Sequence, residues 1–192
     1  MVKIVDARTL SCPQPVVLTS KALEEADEVI TIVDNEEARE NVSRLGRSQG
    51  CEVSVEPRED GIYLTLKKTG AGPAKEERVP TGIVLFIGSD VLGRGDNDQL
   101  GSLLMQSFLH TLGGLTPKPE TIILINHGVK LVTNDSLVLG ELRRLESQGI
   151  EILACGTCLS RLQLTDKVAV GQVSNMYTIA DTMLKANKII SL

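Results

Sequence analysis

A chain of 192 residues with 42% hydrophobic content can form one large or two small domains and can bury a core. Aromatic residues make up only 2% and the net charge is −5, which argues against a basic, aromatic surface for nucleic acid. No apolar run approaches the roughly 20 residues of a membrane span, and the amino terminus lacks the apolar stretch of a cleaved signal. We therefore expect a cytoplasmic protein that binds neither membranes nor nucleic acid directly.

Residues 1–68 are predicted to form a two-layer α/β unit. Short apolar strands are predicted at residues 2–5 and in the stretch EVITIVDN, and each is followed by an amphipathic helix, the first starting at Cys12. Two alternating strands joined by the turn sequence REDG come last, and Cys51 shares a face with two valines, which favours a role as core filler. The order β-α-β-α-β-β predicts a sandwich with the helices on one face of a mixed sheet.

Residues 69–80 are predicted to be a linker between two domains. This stretch is small and polar, contains prolines and has no periodic apolar pattern. We therefore expect the units on either side, residues 1–68 and residues 81–192, to fold independently.

Residues 81–192 are predicted to form a three-layer α/β domain with a mainly parallel sheet. The continuous apolar strands GIVLFIG, TIILIN and EILAC alternate with three helices. The apolar faces of these helices are predicted to comprise Leu100, Leu103, Leu104, Phe108 and Leu112 in the first, Val138, Leu142 and Leu145 in the second, and Met176, Ile179, Ala180 and Met183 in the last. Ligands bind at the carboxyl ends of strands in such sheets, where the chain places SDVLGRGDND, NHGVK and CGTC.

The motif Cys12-Pro13-Gln14-Pro15 marks the start of the first helix. Proline fits a helix only in its first turn, so Cys12 is predicted to be the N-cap. The partial positive charge of a helix N-terminus and the N–H of Gln14 can stabilise a thiolate or a persulfide anion at that position. The alternative is that Cys12 is a small buried hydrophobic residue.

This motif, following the sequence DAR in a β-α-β-α-β-β unit, resembles the TusA/SirA family of sulfur-carrier proteins. The resemblance covers the first third of the chain and implies that Cys12 accepts a persulfide sulfur and passes it on. The second half, with LGRGD, GVKL and ACGTCL…VGQVSNMY, resembles the DsrE-like domain that follows a TusA-like domain in the YedF family, which is linked to selenium metabolism. Whether the cargo is sulfur or selenium is left open.

Cys155 and Cys158 form a C-x-x-C pair with three interpretations. A structural zinc site needs four ligands, and the remaining cysteines and histidines lie far off in sequence, so no metal is predicted. A thioredoxin-type pair fits better, since Cys155 ends a strand and Cys158 enters the next helix, with the first thiol activated. The resemblance to DsrE-like domains implies a persulfide-carrying cysteine at about this place. We favour a redox or sulfur-handling pair over an inert one.

Other polar residues follow the strands of the second half. His127 is expected either to act near Cys155 as a base or charge partner or to lie in a surface loop, and His110 is expected to be a structural or surface residue. The glycine-rich LGRGDND lacks both the P-loop pattern and the third glycine of a dinucleotide fingerprint, so no nucleotide cofactor is predicted. The charged residues of this segment, which either line a crevice or cap the next helix, are Asp90, Arg94, Asp96 and Asp98.

The sequence therefore predicts a sulfurtransferase-like persulfide carrier with Cys12 as acceptor and Cys155 with Cys158 as a second thiol site. Pro13, Gln14, Pro15 and His127 are the expected supporting residues. No organic cofactor is expected because the covalent sulfur is the cargo. The expected partners are sulfur-donor and sulfur-acceptor proteins, and an oligomer formed through the C-terminal domain is left open. The alternatives are a thiol-disulfide oxidoreductase that uses the C-x-x-C pair and a non-catalytic adapter or regulatory protein.

Overall fold

The computed structural model describes residues 2–11, 13–69, 82–93 and 97–192. The chain divides into two compact units, of which the first holds Met1–Arg78 with Asn175–Thr178 and the second holds Val79–Ser174 with Ile179–Leu192. Each unit has its own sheet. Among the described residues, no helix combines the length and the hydrophobicity that crossing a membrane requires.

The first unit has the predicted element order. Its elements are β1 (Val2–Asp6), α1 (Gln14–Glu25), β2 (Glu28–Val33), α2 (Glu36–Ser48), β3 (Cys51–Arg58) and β4 (Gly61–Lys68). The strand order in the sheet is β1-β2-β4-β3. β1 pairs with β2 in parallel and the other two pairs are antiparallel, so the predicted mixed sheet is confirmed.

The core of the first unit lies between the two helices and one face of the sheet. α1 and α2 contribute Val16, Leu23, Val42 and Leu45, and the strands contribute Val29, Val33, Leu64 and Leu66. Cys51 joins this core with 7% of its surface exposed, and burial raises the pKa of its thiol. Burial fades along β3, where Val55 is exposed, because β3 is an edge strand of the sheet. The prediction of Cys51 as core filler agrees with this environment.

The second unit is built on a five-stranded sheet. Its elements are β5 (Ile83–Ile87), α3 (Asp98–Leu112), β6 (Thr121–Leu124), a 3₁₀ segment (Asn126–Val132), α4 (Leu139–Ser147), β7 (Glu151–Cys155), α5 (Gly156–Arg161), a 3₁₀ turn (Thr165–Lys167), β8 (Gln172–Ser174), α6 (Met176–Lys185) and β9 (Lys188–Ser191). The strand order is β8-β7-β6-β5-β9, and every pair is parallel. All four residues of β6 are buried, as expected of a strand covered on both faces. The predicted fold class is confirmed.

The outer strands of the second sheet were not predicted. β8 has only three residues, of which Ser174 is buried, and β9 has four residues, which are all exposed, so neither strand presents a periodic apolar pattern. Both are recognised only through their pairing with β7 and β5.

The buried face of α3 differs from the prediction. Leu112 is buried as predicted, but Leu100, Leu103 and Leu104 are exposed, and the other buried residues are Gly101, Met105 and Leu109. The reason is the close approach of Gly101, where a Cβ atom would lie 2.8 Å from the Cβ of Val91. Leucines occur on more than one side of α3, so the apolar pattern alone did not identify the packed side.

The same ambiguity affects α6. Ile179 is buried as predicted, but Met176 and Ala180 are exposed. In α4, by contrast, Leu142 and Leu145 are fully buried in the predicted way.

We predict that residues 1–69 and residues 80–192 each fold alone, because each range contains a sheet with its own core. Both fragments should give native-like circular dichroism and unfold cooperatively. In the first fragment, Leu64→Ala should lower the free energy of unfolding by about 2–5 kcal/mol, because Leu64 is fully buried. Ile4→Ala is the matched control; Ile4 is 66% exposed, and its loss should cost less than about 1 kcal/mol. A fragment that unfolds without cooperativity would contradict the predicted boundary.

Candidate functional site

The motif of the first unit lies at the start of α1. The helix begins at Gln14, and Pro15 occupies its first turn as predicted. The N-cap is Pro13, with φ −98° and ψ 10°, which corrects the prediction of Cys12 as the cap. Cys12 itself lies outside the described residues, as do residues 70–81, Arg94 and Asp96.

A tight turn explains the shifted cap. The Gln14 N–H donates to the Ser11 carbonyl at 2.9 Å, and the Val17 N–H donates to the Pro13 carbonyl at 3.1 Å. The Gln14 donor predicted to serve the sulfur of Cys12 is thus used by the backbone of Ser11. The described neighbours Ser11, Pro13 and Gln14 are exposed.

The loop that leads to this motif is held by a carboxylate. The Thr9 N–H donates to Oδ2 of Asp34 at 2.6 Å, and Thr9 adopts a left-handed φ of 63°. This hydrogen bond is the largest cause of the lowered pKa of Asp34. Asp34 directly follows β2, so the carboxyl end of that strand anchors the chain before the motif.

The sequence DAR forms an ion-pair cluster beside the sheet. The Arg8 guanidinium donates twice to Asp6, from Nε at 2.9 Å and from Nη2 at 2.6 Å, and its Nη1 lies 3.3 Å from Oδ2 of Asp60. The hydroxyl of Tyr63 donates to the same Asp60 oxygen at 2.8 Å. The Arg8 side-chain hydrogen bonds lower the pKa of Asp6 to about 2. Arg8 is therefore engaged by two carboxylates.

The C-x-x-C pair lies at the carboxyl edge of the second sheet. Cys155 is the last residue of β7 and Cys158 lies in the first turn of α5, as predicted. Both are free thiols; Cys155 is 1% exposed and Cys158 is half-buried. Within the described ranges, no three histidine, cysteine or acidic side chains come together as metal ligands.

Burial and hydrogen bonding act in opposite directions on Cys155. Burial is the largest effect and raises its pKa, and the neighbouring Cys158 thiol raises it further. The backbone N–H groups of Cys158 and Thr157 donate to the Cys155 sulfur and lower the pKa. The sum raises the pKa of Cys155 to about 11, so this thiol is protonated at neutral pH.

Sequence reasoning missed Asn126. Its backbone N–H donates to the sulfur of Cys158 at 3.1 Å, and its φ of 49° is in the left-handed region that asparagine tolerates. The side chain of the adjacent His127 is exposed. The predicted segment thus does reach the cysteine pair, but a backbone N–H, not an imidazole, makes the described contact. The sequence signal that points to Asn126 is an asparagine followed by His-Gly directly after a predicted strand.

Tight backbone packing fixes this segment. The Ile125 N–H donates to the Ile87 carbonyl at 3.0 Å, and the Gly128 N–H donates to the Ile125 carbonyl at 2.9 Å. A Cβ atom on Gly128 would lie 2.5 Å from the Ile87 oxygen. Position 128, two residues after the Asn126 N–H that contacts Cys158, therefore requires glycine.

The charged residues after β5 have separate roles. Asp90 forms an ion pair with Lys130 at 2.9 Å, and both line a pocket of about 390 Å³, in agreement with the predicted crevice. Asp98 begins α3, but the cap is Asn97, whose Oδ1 accepts the Leu100 N–H at 3.0 Å.

His110, on α3, was expected to have a structural or surface role. Its Nδ1 lies 2.9 Å from Oε1 of Glu141, and its side chain is largely exposed. The expectation for His110 agrees with this position.

Comparison with known proteins gives one family match. A family model described as sulfurtransferase TusA matches residues 3–68, a range that contains the whole Cys-Pro-Gln-Pro motif. A comparison with curated proteins gave no match.

Three solved structures are similar to parts of the chain. One is a SirA-like protein from Desulfitobacterium hafniense, with 28% identity over 38% of this chain and 99% of that chain and a TM-score of 0.33. Another is the ychN protein from E. coli, with 13% identity over 58% of this chain and 99% of that chain and a TM-score of 0.46. A third is a protein of unknown function from Methanobacterium thermoautotrophicum, with 19% identity over 58% of this chain and 99% of that chain and a TM-score of 0.44.

We predict that Arg8→Gln returns the pKa of Asp6 from about 2 towards its ordinary value of 3.8. The folded-state pKa is depressed, so the stabilisation from this pair is present above pH 3.8 and is lost as the pH falls towards 2. A carboxyl-resolved NMR titration measures both values. Arg58→Gln is the control, because Arg58 pairs with Glu56 instead. An unchanged Asp6 titration in Arg8→Gln would contradict the assigned cause.

We predict that Gly128→Ala slows alkylation of Cys158 by about threefold to tenfold at pH 8, because the displaced segment withdraws the Asn126 N–H from the sulfur. Peptide mapping after iodoacetamide treatment measures the rate. Gly140→Ala is the matched control, since a Cβ there would meet nothing within 4 Å. Equal rates in the two variants would contradict a role for the Asn126 donor.

Proposed function

We propose that this chain, whose first unit is a TusA-like sulfurtransferase domain, carries persulfide sulfur on Cys12. The observation that carries the proposal is the family match over residues 3–68, which includes the complete Cys-Pro-Gln-Pro motif. A TusA-like domain supports a role in receiving sulfur from one protein and delivering it to another.

The described surroundings of Cys12 support this role. The motif opens α1, a helix of 12 residues, and the N-terminus of such a helix favours a thiolate or a persulfide anion. The exposed neighbours Ser11, Pro13 and Gln14 leave this part of the chain open to a partner protein. The Asp34 carboxylate accepts the Thr9 N–H and so anchors the loop that precedes the motif.

The transfer is thiol chemistry. The thiolate of Cys12 attacks the outer sulfur of a donor persulfide, the donor S–S bond breaks, and the donor leaves as a thiolate while Cys12 becomes a persulfide. A nucleophilic acceptor then takes the outer sulfur and restores the Cys12 thiolate. Each step moves one sulfur without net oxidation, so no organic cofactor is needed.

The proposal assigns the second unit a second thiol site at Cys155 and Cys158, in a DsrE-like domain of the kind found in the YedF family. The parallel sheet and the thiol pair at its carboxyl edge support this assignment. Selenium is an alternative cargo, since a selenol and a thiol follow the same transfer chemistry. The reducing cytoplasm would keep these thiols free.

A second candidate function is thiol-disulfide exchange. It is favoured by the two neighbouring free thiols of Cys155 and Cys158. An oxidoreductase would cycle this pair without loading Cys12, and an adapter or regulatory protein would use neither site. Sulfur loading therefore separates the three functions.

We predict that the full chain, incubated with cysteine persulfide, gains one sulfur atom on Cys12. Trypsin separates the cysteines into residues 9–21 with Cys12, residues 48–58 with Cys51, and residues 145–161 with the pair. The mass of the first peptide should rise by one sulfur, and Cys12→Ser should abolish this gain.

Cys51→Ser is the matched control, because Cys51 is buried and its loss should leave loading of Cys12 unchanged. A pair that cycles between thiols and disulfide while Cys12 never gains sulfur would favour the oxidoreductase. No change at any cysteine would favour the adapter.

A further inference from the structure

We infer that Cys158 is the thiol of the second unit that accepts sulfur from outside, and that Cys155 is the resolving thiol that attacks Cys158. The inference rests on the proposed function, which supplies the persulfide cargo. It reverses the order predicted from the sequence, in which the first thiol of the C-x-x-C pair is activated.

The two sulfurs differ in access. Cys155 ends a buried strand and is 1% exposed, whereas Cys158 is half-buried on α5. A donor persulfide has to bring its outer sulfur into line with the attacking thiolate. Only Cys158 of the pair is accessible for that approach.

The hydrogen bonds of the two sulfurs also differ in origin. Cys158 accepts the Asn126 N–H at 3.1 Å, from the segment that follows the neighbouring strand β6. Cys155 accepts the N–H groups of Cys158 and Thr157, which belong to its own turn. A thiolate on Cys158 would therefore be stabilised by the Asn126 N–H, which a separate element of the fold holds in place.

Burial makes Cys155 the proton carrier of the pair. Its pKa is raised to about 11, so it holds its proton at neutral pH. Because the thiolate is the attacking form, Cys155 reacts as it gives this proton to the outer sulfur, which leaves as hydrogen sulfide. The Cys158 side chain itself contributes to the raised pKa of Cys155, so the two thiols are interacting neighbours.

The chemistry has two steps. In the first, the Cys158 thiolate attacks the outer sulfur of the donor persulfide, the donor S–S bond breaks, and the donor leaves as a thiolate. In the second, Cys155 attacks Sγ of the Cys158 persulfide, the bond to the outer sulfur breaks, and hydrogen sulfide leaves with the Cys155 proton. The outer sulfur gains two electrons, which come from the two thiols as they form a disulfide. A dithiol reductant then restores the pair.

Alkylation tests the order of the thiols without any sulfur donor. The full chain is treated with limiting iodoacetamide at pH 8, and residues 145–161 are fragmented to locate the label. Cys158 should be labelled at least about tenfold faster than Cys155, and buried Cys51 should serve as a slow internal reference. Faster labelling of Cys155 would overturn the inference.

Sulfur loading tests the two steps. In full-length Cys155→Ala, the Cys158 persulfide should accumulate after cysteine persulfide treatment. The wild type should instead release sulfide and form the disulfide, seen as a loss of two hydrogen masses in residues 145–161. In Cys158→Ala, this peptide should take up at least about tenfold less sulfur than it does in Cys155→Ala. Equal uptake by the two single variants would overturn the assignment.

Further measurements keep this test separate from the proposed function. Loading of Cys12 is read in residues 9–21 of the same digest, so failure of the carrier role is seen independently. If neither peptide takes up sulfur, the proposed function fails and so does the acceptor role of Cys158. Circular dichroism checks that the variants are folded, and Cys155→Ser replaces Cys155→Ala if the latter unfolds.

Discussion

The parallel pairing of β6 with β7 is the constraint on which the second thiol site depends. Leu124 lies opposite Ala154, so both strands end at the same edge of the sheet. The chain leaves β6 through Asn126 beside the point where β7 leads into α5. Neighbouring strands are about 4.8 Å apart, which brings the Asn126 N–H to 3.1 Å from the sulfur of Cys158. A shift in this register would separate the donor from the sulfur.

Burial and backbone donors together determine the state of the thiols at this edge. Cys155 has N–H donors from its own turn, yet desolvation outweighs them and keeps the thiol protonated. Cys158, one helical turn further, is half-buried and receives a donor from another element. Two cysteines only three residues apart therefore lie in different environments, because the strand end is buried and the helix surface is not.

Local patterns predicted the elements of the first unit well, because prolines fix a helix start and alternation identifies half-buried strands. The start of α1 was wrong by one residue, since the turn between Ser11 and Gln14 depends on a backbone hydrogen bond that composition does not reveal. In the second unit, β8 and β9 are too short for a periodic signal. The sequence marks Asn126 as a strand-end asparagine, but its contact with Cys158 was missed because the partner depends on strand register, which joins residues 32 positions apart.

The two thiol sites of the proposed carrier have different consequences for a bound sulfur. The first unit contains one other cysteine, Cys51, which is buried in the core and lies 39 positions from Cys12 in the sequence, whereas Cys155 lies three residues from Cys158. A sulfur on Cys12 would then leave only by transfer to another molecule. A sulfur on Cys158 has Cys155 beside it and can leave as sulfide when the disulfide forms. Carriage thus suits the first unit, and reductive release suits the second.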